Sequence, residues 1–416
     1  MNQKTLLGLA IAAVVALGAA ALVSHFNQPA SETAAADAWL APGLRDHVND
    51  VNKVVVKGAG DKTLATLVRG DKGWTLAEKG GYAVDSGKLR DLLLKLADAK
   101  LVEQKTSNKD KYAALGVQDV SDATAKGVQV ELQGLAQPLD VIVGDANPRG
   151  GSYVRRAGDA QSWLTAAAIS IDKDATSWLR KDIATMPATR IANVTLTHAD
   201  GSVVKIAKSA EGDANFTLVD VPKGREAGDA FTINGIAGTL DGLRFDDVLP
   251  AKDAAPEANA LKARFETFDG IAVDVTAWEK DGKDRAVLVA SLDAAQADKG
   301  IAAAQAKVKA EYEKAVADAR KPHADNKDGE KKDDAPIKPL AETDPAKDRE
   351  NRLADLDKQV AELNARFDGW TFVLPAYKYA NFNKSLADLL KPVEEKGDAR
   401  AKPGANKAAV KPAVKG

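Results

Sequence analysis

The sequence has no cysteine, only 5% aromatic residues, and four histidines and two methionines among 416 residues. Without cysteine there is no disulfide framework, no thiolate ligation of zinc or iron–sulfur clusters and no thiol nucleophile. The net charge of -2 leaves no basic footprint of the kind that holds nucleic acid. Much of the 45% hydrophobic share is alanine, which buries little area per residue, so the core is leaner than that figure implies. The length still accommodates two to three domains.

Catalytic constellations are missing as well. His25, His47, His198 and His323 are scattered, none with a second ligand within a helical turn, and there is no Gly-x-Ser-x-Gly elbow. These absences point away from an enzyme, and no cofactor or metal is implied. Gly144–Gly151 is the only glycine-rich loop with positive charge beside it. It lacks the Gly-Lys-Ser/Thr ending of a phosphate loop and lies between strand patterns, so it reads as a hairpin. Arg149, Arg155 and Arg156 around it are the candidate surface for contact with an anion or a partner.

What is present begins with an apolar run. Leu6–Val23 carries no charge, follows Lys4 and precedes the next basic residue, Arg45. As a helix it spans about 27 Å, enough for a thin bilayer. Ala19-Ala20-Ala21 would serve a cleavable signal, but the run is longer than a typical signal core, which favours a retained anchor. Either way the start lies inside and the bulk of the chain outside. Residues 1–24 are therefore expected to be an anchor or signal and 25–44 a flexible spacer.

Two stretches then repeat one order of elements. Val51–Val56, Leu64–Val68 and Gly73–Leu76 read as strands, followed by a helix opened by Asp85 and carrying Leu89, Leu92, Leu93, Leu96 and Leu101. About 141 residues later come Ile191–Leu196, Val203–Ile206 and Asn215–Leu218, with Ile236–Val248 in the helix position. Further on, Gly127–Leu132 is paired with Gly270–Val275, and Leu139–Val143 with Arg285–Val289. Alternation and tight turns predict an α+β fold of two tandem repeats, 45–185 and 186–392, with mostly antiparallel sheets. Trp74, Trp163 and Trp370 fall in strand patterns and are expected to anchor the cores.

The second repeat carries an insertion, residues 293–365. Ile301, Ala304, Val308 and Tyr312 recur at helical spacing. Beyond a Lys/Asp/Pro-rich stretch, 322–345, that is expected to be disordered, Leu353, Leu356, Val360 and Leu363 form a seam for a partner helix. The expected form is a protruding antiparallel helical hairpin, or coiled-coil arm; two amphipathic helices lying flat on the domain are the alternative. Residues 393–416 read as a disordered Lys/Ala/Pro tail.

Several of these segments carry a family resemblance. They are Gly73-Trp74 with the Leu-rich helix, Tyr112-Ala113-Ala114-Leu115-Gly116-Val117, Val143-Gly144-Asp145, Gly151-Ser152-Tyr153-Val154-Arg155 and Trp178-Leu179-Arg180-Lys181-Asp182. In this order they resemble the domain-of-unknown-function 4340 family, bacterial proteins with an N-terminal membrane helix and duplicated α+β units. The resemblance implies a single-pass inner-membrane protein with most of the chain in the periplasm. It also implies a non-enzymatic accessory or scaffold for an ABC-type transport or surface-assembly complex, with protein partners and no nucleic acid. The other reading is a module that binds an envelope glycan or anionic polymer. The second repeat departs from the pattern: it lacks the Gly-Asp and Tyr-Val-Arg signals and adds the charged insertion.

Overall fold

A computed structural model describes residues 38–319 and 336–392. The run Leu6–Val23, residues 320–335 of the insertion and the tail from residue 393 lie outside them. Among the described residues no helix is long and apolar enough to cross a membrane. Helices and antiparallel sheets together make the fold α+β.

The chain divides into two units. The first contains the residues up to Ile183 together with Arg244–Ala255 and Gly369–Pro375; the second contains Ala184–Leu243, Pro256–Asp368 and the residues from Ala376 onward. Two stretches placed in the second repeat by sequence thus cluster with the first.

Unit 1 is built on β1 (Ala38–Trp39), β2 (Lys53–Gly58), β3 (Lys62–Gly70), β4 (Gly73–Leu76), β5 (Tyr82–Ala83), β6 (Lys100–Gln104), β7 (Val128–Gln133), β8 (Leu139–Ala146), β9 (Ser152–Arg156) and β10 (Ser162–Thr165). They form one sheet in the order β1-β6-β10-β9-β8-β7-β2-β3-β4-β5. In β7, Val128, Val130 and Leu132 are buried while Gln129, Glu131 and Gln133 are half-buried, so one face is apolar and the other polar. Helix α1 (Ser86–Ala97) starts where the Asp85 carboxylate accepts the Lys88 N–H at 3.1 Å, and it buries Leu89, Leu92, Leu93 and Leu96. It stops at Ala97; Leu101, expected on the same helix, is a buried residue of β6.

On the polar face Glu131 stands directly opposite Asp140. Lys57 pairs with Glu131, and that bond holds the lysine above its ordinary pKa. Burial, and then the Glu131 charge, hold the Asp140 carboxyl above its own ordinary value. The folded chain therefore binds the Asp140 proton more readily than the unfolded chain does. This residue's contribution to stability falls as pH rises through the carboxylate range. Asp140→Asn is expected to stabilise the protein by about 0.5–1 kcal/mol at neutral pH. The gain should vanish near about pH 3, where the carboxyl is protonated anyway. Thermal melts of both chains at the two pH values check this; a loss of stability at neutral pH contradicts it.

Unit 1 is completed by the antiparallel pair Asp247–Pro250 with Trp370–Val373. Tyr82, at 3% exposure, meets three rings edge-on from Arg244–Ala255 and Gly369–Pro375: Trp370 at 4.9 Å, Phe245 at 5.3 Å and Phe372 at 6.2 Å between centroids. Lys79 reaches Asp247 at 2.5 Å. Trp178 is fully buried here, whereas Trp74, Trp163 and Trp370 are only half-buried. The strand tryptophans therefore edge the core, and Trp178, in a single 3-10 turn, sits inside it.

Unit 2 contains β11 (Ile191–Thr197), β12 (Val203–Ala207), β13 (Thr217–Val219), β14 (Leu261–Thr267), β15 (Ile271–Lys280) and β16 (Lys283–Leu292). Their order, β13-β12-β11-β14-β15-β16, reproduces β4-β3-β2-β7-β8-β9 of unit 1. The same strand order thus recurs in both units, but the sequence alignment is one strand out of step in its second half. The strand that pairs with β11 as β7 pairs with β2 is β14, not the one holding Gly270–Val275. Lys262, Arg264 and Glu266 on alternate positions disguise β14 as a polar connection, whereas the more apolar β15 resembles β7 better.

The helix of unit 2 also lies earlier than expected. Helix α2 (Ala230–Ala237) starts where Asp229 takes the Thr232 N–H at 2.8 Å, and it buries Ile233 and Ile236. Leu240, Leu243 and Val248 are buried but lie beyond it. The insertion is helical, as read: α3 (Ala294–Ala319) and α4 (Pro345–Phe367). Of the stretch expected to be disordered, the described part holds a helical turn, Leu340–Thr343. Helix α5 (Ala376–Phe382) adds Phe382, edge-on to Phe265 at 5.9 Å.

The helix pair is fastened to its sheet at the base. Asn364 on α4 bonds both backbone groups of Ala290 on β16: its Oδ1 accepts the N–H and its Nδ2 donates to the carbonyl, each at 2.8 Å. Helix α4 packs along β16, so it lies against the sheet as in the flat alternative. A Cβ on Gly300 of α3 would stand 2.7 Å from the Phe268 carbonyl oxygen, which shows how closely that helix approaches the β14–β15 turn. Arg349 with Asp298, at 2.6 Å, and Gln305 with Asp348, at 3.0 Å, join the antiparallel helices to each other.

Candidate functional site

Three of the segments behind the family resemblance, 112–117, 143–145 and 151–155, meet in unit 1. A 3-10 turn, Lys109–Ala114, presents Tyr112, which is buried with Val117 and Ile142 and packed by Leu115 and Tyr153. Gly116 takes φ +67, a conformation that suits glycine. A Cβ on Gly144 would stand 2.2 Å from the Leu115 carbonyl oxygen, and the neighbouring Asp145 N–H donates to that same oxygen at 3.0 Å. The Gly-Asp pair of β8 is thus where the Tyr112–Val117 turn lies down on the sheet.

Arg155 locks this arrangement. It is 2% exposed. Its Nε donates to the Val117 carbonyl at 2.9 Å, Nη1 to the Asp159 carbonyl at 2.9 Å and Nη2 to Asp119 at 2.5 Å. The guanidinium stacks on the Tyr112 ring at 4.6 Å, and the Tyr112 hydroxyl donates to the Ala160 carbonyl. Fork geometry and aromatic stacking together use what arginine offers over lysine.

The structure therefore does not gather Arg149, Arg155 and Arg156 into one patch. Successive strand residues point to opposite faces. Arg156 turns away from Arg155 and donates to the Leu40 and Trp39 carbonyls at 2.9 and 3.1 Å. Arg149 is exposed on the β8–β9 turn. Only that last arginine stands out in solvent.

Leu353, Leu356, Val360 and Leu363 do share a stripe on α4. Leu356 is buried and the other three are half-buried, so the seam faces largely into unit 2. Part of it opens on a feature that sequence reasoning missed, a cleft of about 850 Å³ running along α3. Its apolar lining comes from Ile301, Ala304 and Val308 of α3, Leu356 of α4 and Phe268 of the β14–β15 turn. The β12–β13 connection, Ser209–Glu211, supplies another wall. The i, i+3, i+7 spacing of Ile301, Ala304 and Val308 was the available signal, but it names a helix face without saying that the face remains partly open.

Residues 74–263 match the sequence model of a family described as a domain of unknown function, DUF4340. The chain carries a DUF4340 domain. No curated protein and no solved structure matches the chain. The DUF4340 match begins in β4 and ends in β14, so it includes the whole Tyr112–Arg155 cluster and stops before α3 and α4. Three of the segments behind the resemblance are thus assembled into a packing node, while α3 and α4, the helical walls of the cleft, lie beyond the match.

Proposed function

We propose that this DUF4340 protein is a non-enzymatic, membrane-anchored accessory protein of the bacterial periplasm. Leu6–Val23 anchors it in the inner membrane, and its two repeats stand outside the cytoplasm as a scaffold for an ABC-type transport or surface-assembly complex. The observation that carries this reading is the inserted helix pair with its open cleft, a feature added to one copy of a duplicated fold and lined for contact. Amphipathic helix pairs with a partly open apolar face are common protein-recognition surfaces. The charge-free run and the charge asymmetry around it support the anchor and its orientation.

The competing reading, an anionic-polymer module using Arg149, Arg155 and Arg156, draws little support, since Arg155 and Arg156 are occupied by the protein's own carbonyls. Co-purification from gently solubilised membranes tests the proposal. Recovery of ATPase and permease subunits is the expected result, and a monomer with no transport subunits overturns it.

A further inference from the structure

The proposed accessory role leaves the partner's chemistry open, and the cleft of unit 2 narrows it. Its long wall is α3. Lys299, Ala303, Lys307 and Glu311 line it at steps of four, a single stripe about 18 Å long beside the apolar residues Ile301, Ala304 and Val308. Among the described residues neither Lys299 nor Lys307 has an ion-pair partner. The other basic groups on the rim do: Arg190 pairs with Asp269 at 2.7 Å and Arg352 with Asp348 at 2.7 Å. On α4, across from the lysines, Asp355 lines the cleft, also without a pair. The unspent charges are therefore positive, positive, negative along α3, with single negative charges at Asp355 on α4 and at Glu211 on the β12–β13 wall.

Resting on that accessory reading, we infer that the cleft receives an amphipathic helix of a partner protein. The partner helix lays a face of small and aliphatic side chains on Ile301, Ala304, Val308 and Leu356. One of its flanks carries two acidic residues about eight apart, facing Lys299 and Lys307, and a basic residue about four further on, facing Glu311. Its other flank carries a basic residue that faces Asp355. An apolar stripe bordered by charges that dictate register is how helix-in-groove recognition obtains both affinity and orientation. The chain's own segment 320–335 is a poor occupant, because Arg320–Ala335 offers no aliphatic face: its only apolar side chains are Pro322, Ala324 and Ala335.

The test uses the full-length chain and two fluorescent helical peptides of about 16 residues, alike in composition. One carries the charge order just described; the other has its acidic and basic flank residues exchanged. The matched peptide should bind at least about tenfold more tightly than the exchanged one. K299E/K307E, at two exposed positions, should erase that preference, because it inverts two of the four charge contacts, and Ala303→Trp, also exposed, should weaken both peptides about tenfold by filling the cleft. Equal binding of the two peptides to the unsubstituted chain, an unchanged preference in the double variant, or indifference to Ala303→Trp overturns the inference. So does light scattering that finds a dimer dissociated by Ala303→Trp, which makes a second copy the occupant. Binding that arises only after residues 320–335 are replaced by a Gly/Ser linker also overturns it, by making that segment the occupant. If transport subunits co-purify while the peptides fail, the accessory role stands and the cleft assignment falls. The reverse pattern separates the two the other way.

Discussion

Replacing Tyr82 with alanine should cost about 3–5 kcal/mol, a large share of the 5–15 kcal/mol that holds a typical domain together. The reason is where its ring partners come from. Phe245, Trp370 and Phe372 lie far along the chain, yet their rings sit within 6.2 Å of the Tyr82 ring centroid. Tyr82 is therefore the point at which stretches 244–255 and 369–375 are tied into unit 1. Denaturant unfolding followed by tryptophan fluorescence measures the loss. A double-mutant cycle with Phe372→Ala should give a coupling of about 0.5–1.5 kcal/mol. A loss below about 1 kcal/mol for Tyr82→Ala would mean that these stretches are not integral to the unit.

Arg155 is expected to matter nearly as much, and for stability. Arg155→Met leaves the Val117 and Asp159 carbonyls without their donor, strips the Tyr112 ring of its cation and frees Asp119. Asp119 is half-exposed and regains water, so the loss falls at the lower end for a broken buried pair, on the order of 3 kcal/mol. Arg155→Lys should recover less than half of it, because an ammonium cannot donate in three fixed directions while stacking. Arg149→Glu, out in solvent, should stay within about 0.5 kcal/mol of the parent chain. Thermal melts of the three variants decide the matter; equal effects at 149 and 155 would contradict the packing role.

The difference between those two arginines shows what the sequence makes legible. Alternation in β7 and leucine spacing in α1 reveal their buried sides directly, because strand and helix periodicities are local. The inserted helices are legible for the same reason, through Ile301, Ala304, Val308 and the Leu353–Leu363 stripe. The same strand alternation separates Arg155 from Arg156, whose adjacency in sequence otherwise suggests one patch.

What stayed hidden is non-local. Strand β14 hides behind the charges of Lys262, Arg264 and Glu266. Arg264 accommodates them on the sheet by pairing with Glu266 at 3.0 Å and with Asp274 of β15 at 2.7 Å. The start of α2 depended on a single cap, Asp229, placed before a segment with no strong helical period. The assignment of 244–255 and 369–375 to unit 1 rests on aromatic contacts between residues more than 160 positions apart, which no window of sequence contains. The family motifs, weak one by one, gain physical meaning only when Gly144 is seen against Leu115 and Arg155 against Tyr112.

Two roles are thus divided between the units: a packing node in unit 1, and in unit 2 a cleft, walled by helices beyond the DUF4340 match, that is proposed to receive a partner. Site-specific photo-crosslinking in intact membranes tests this division most directly. The probe is placed at Ala303, on the cleft wall, and separately at Arg149, on the exposed β8–β9 turn, and adducts are identified by mass spectrometry. The predicted result is an adduct with a transport-complex subunit from position 303 and none from 149. Capture of such a subunit from 149 with nothing at 303 would contradict it.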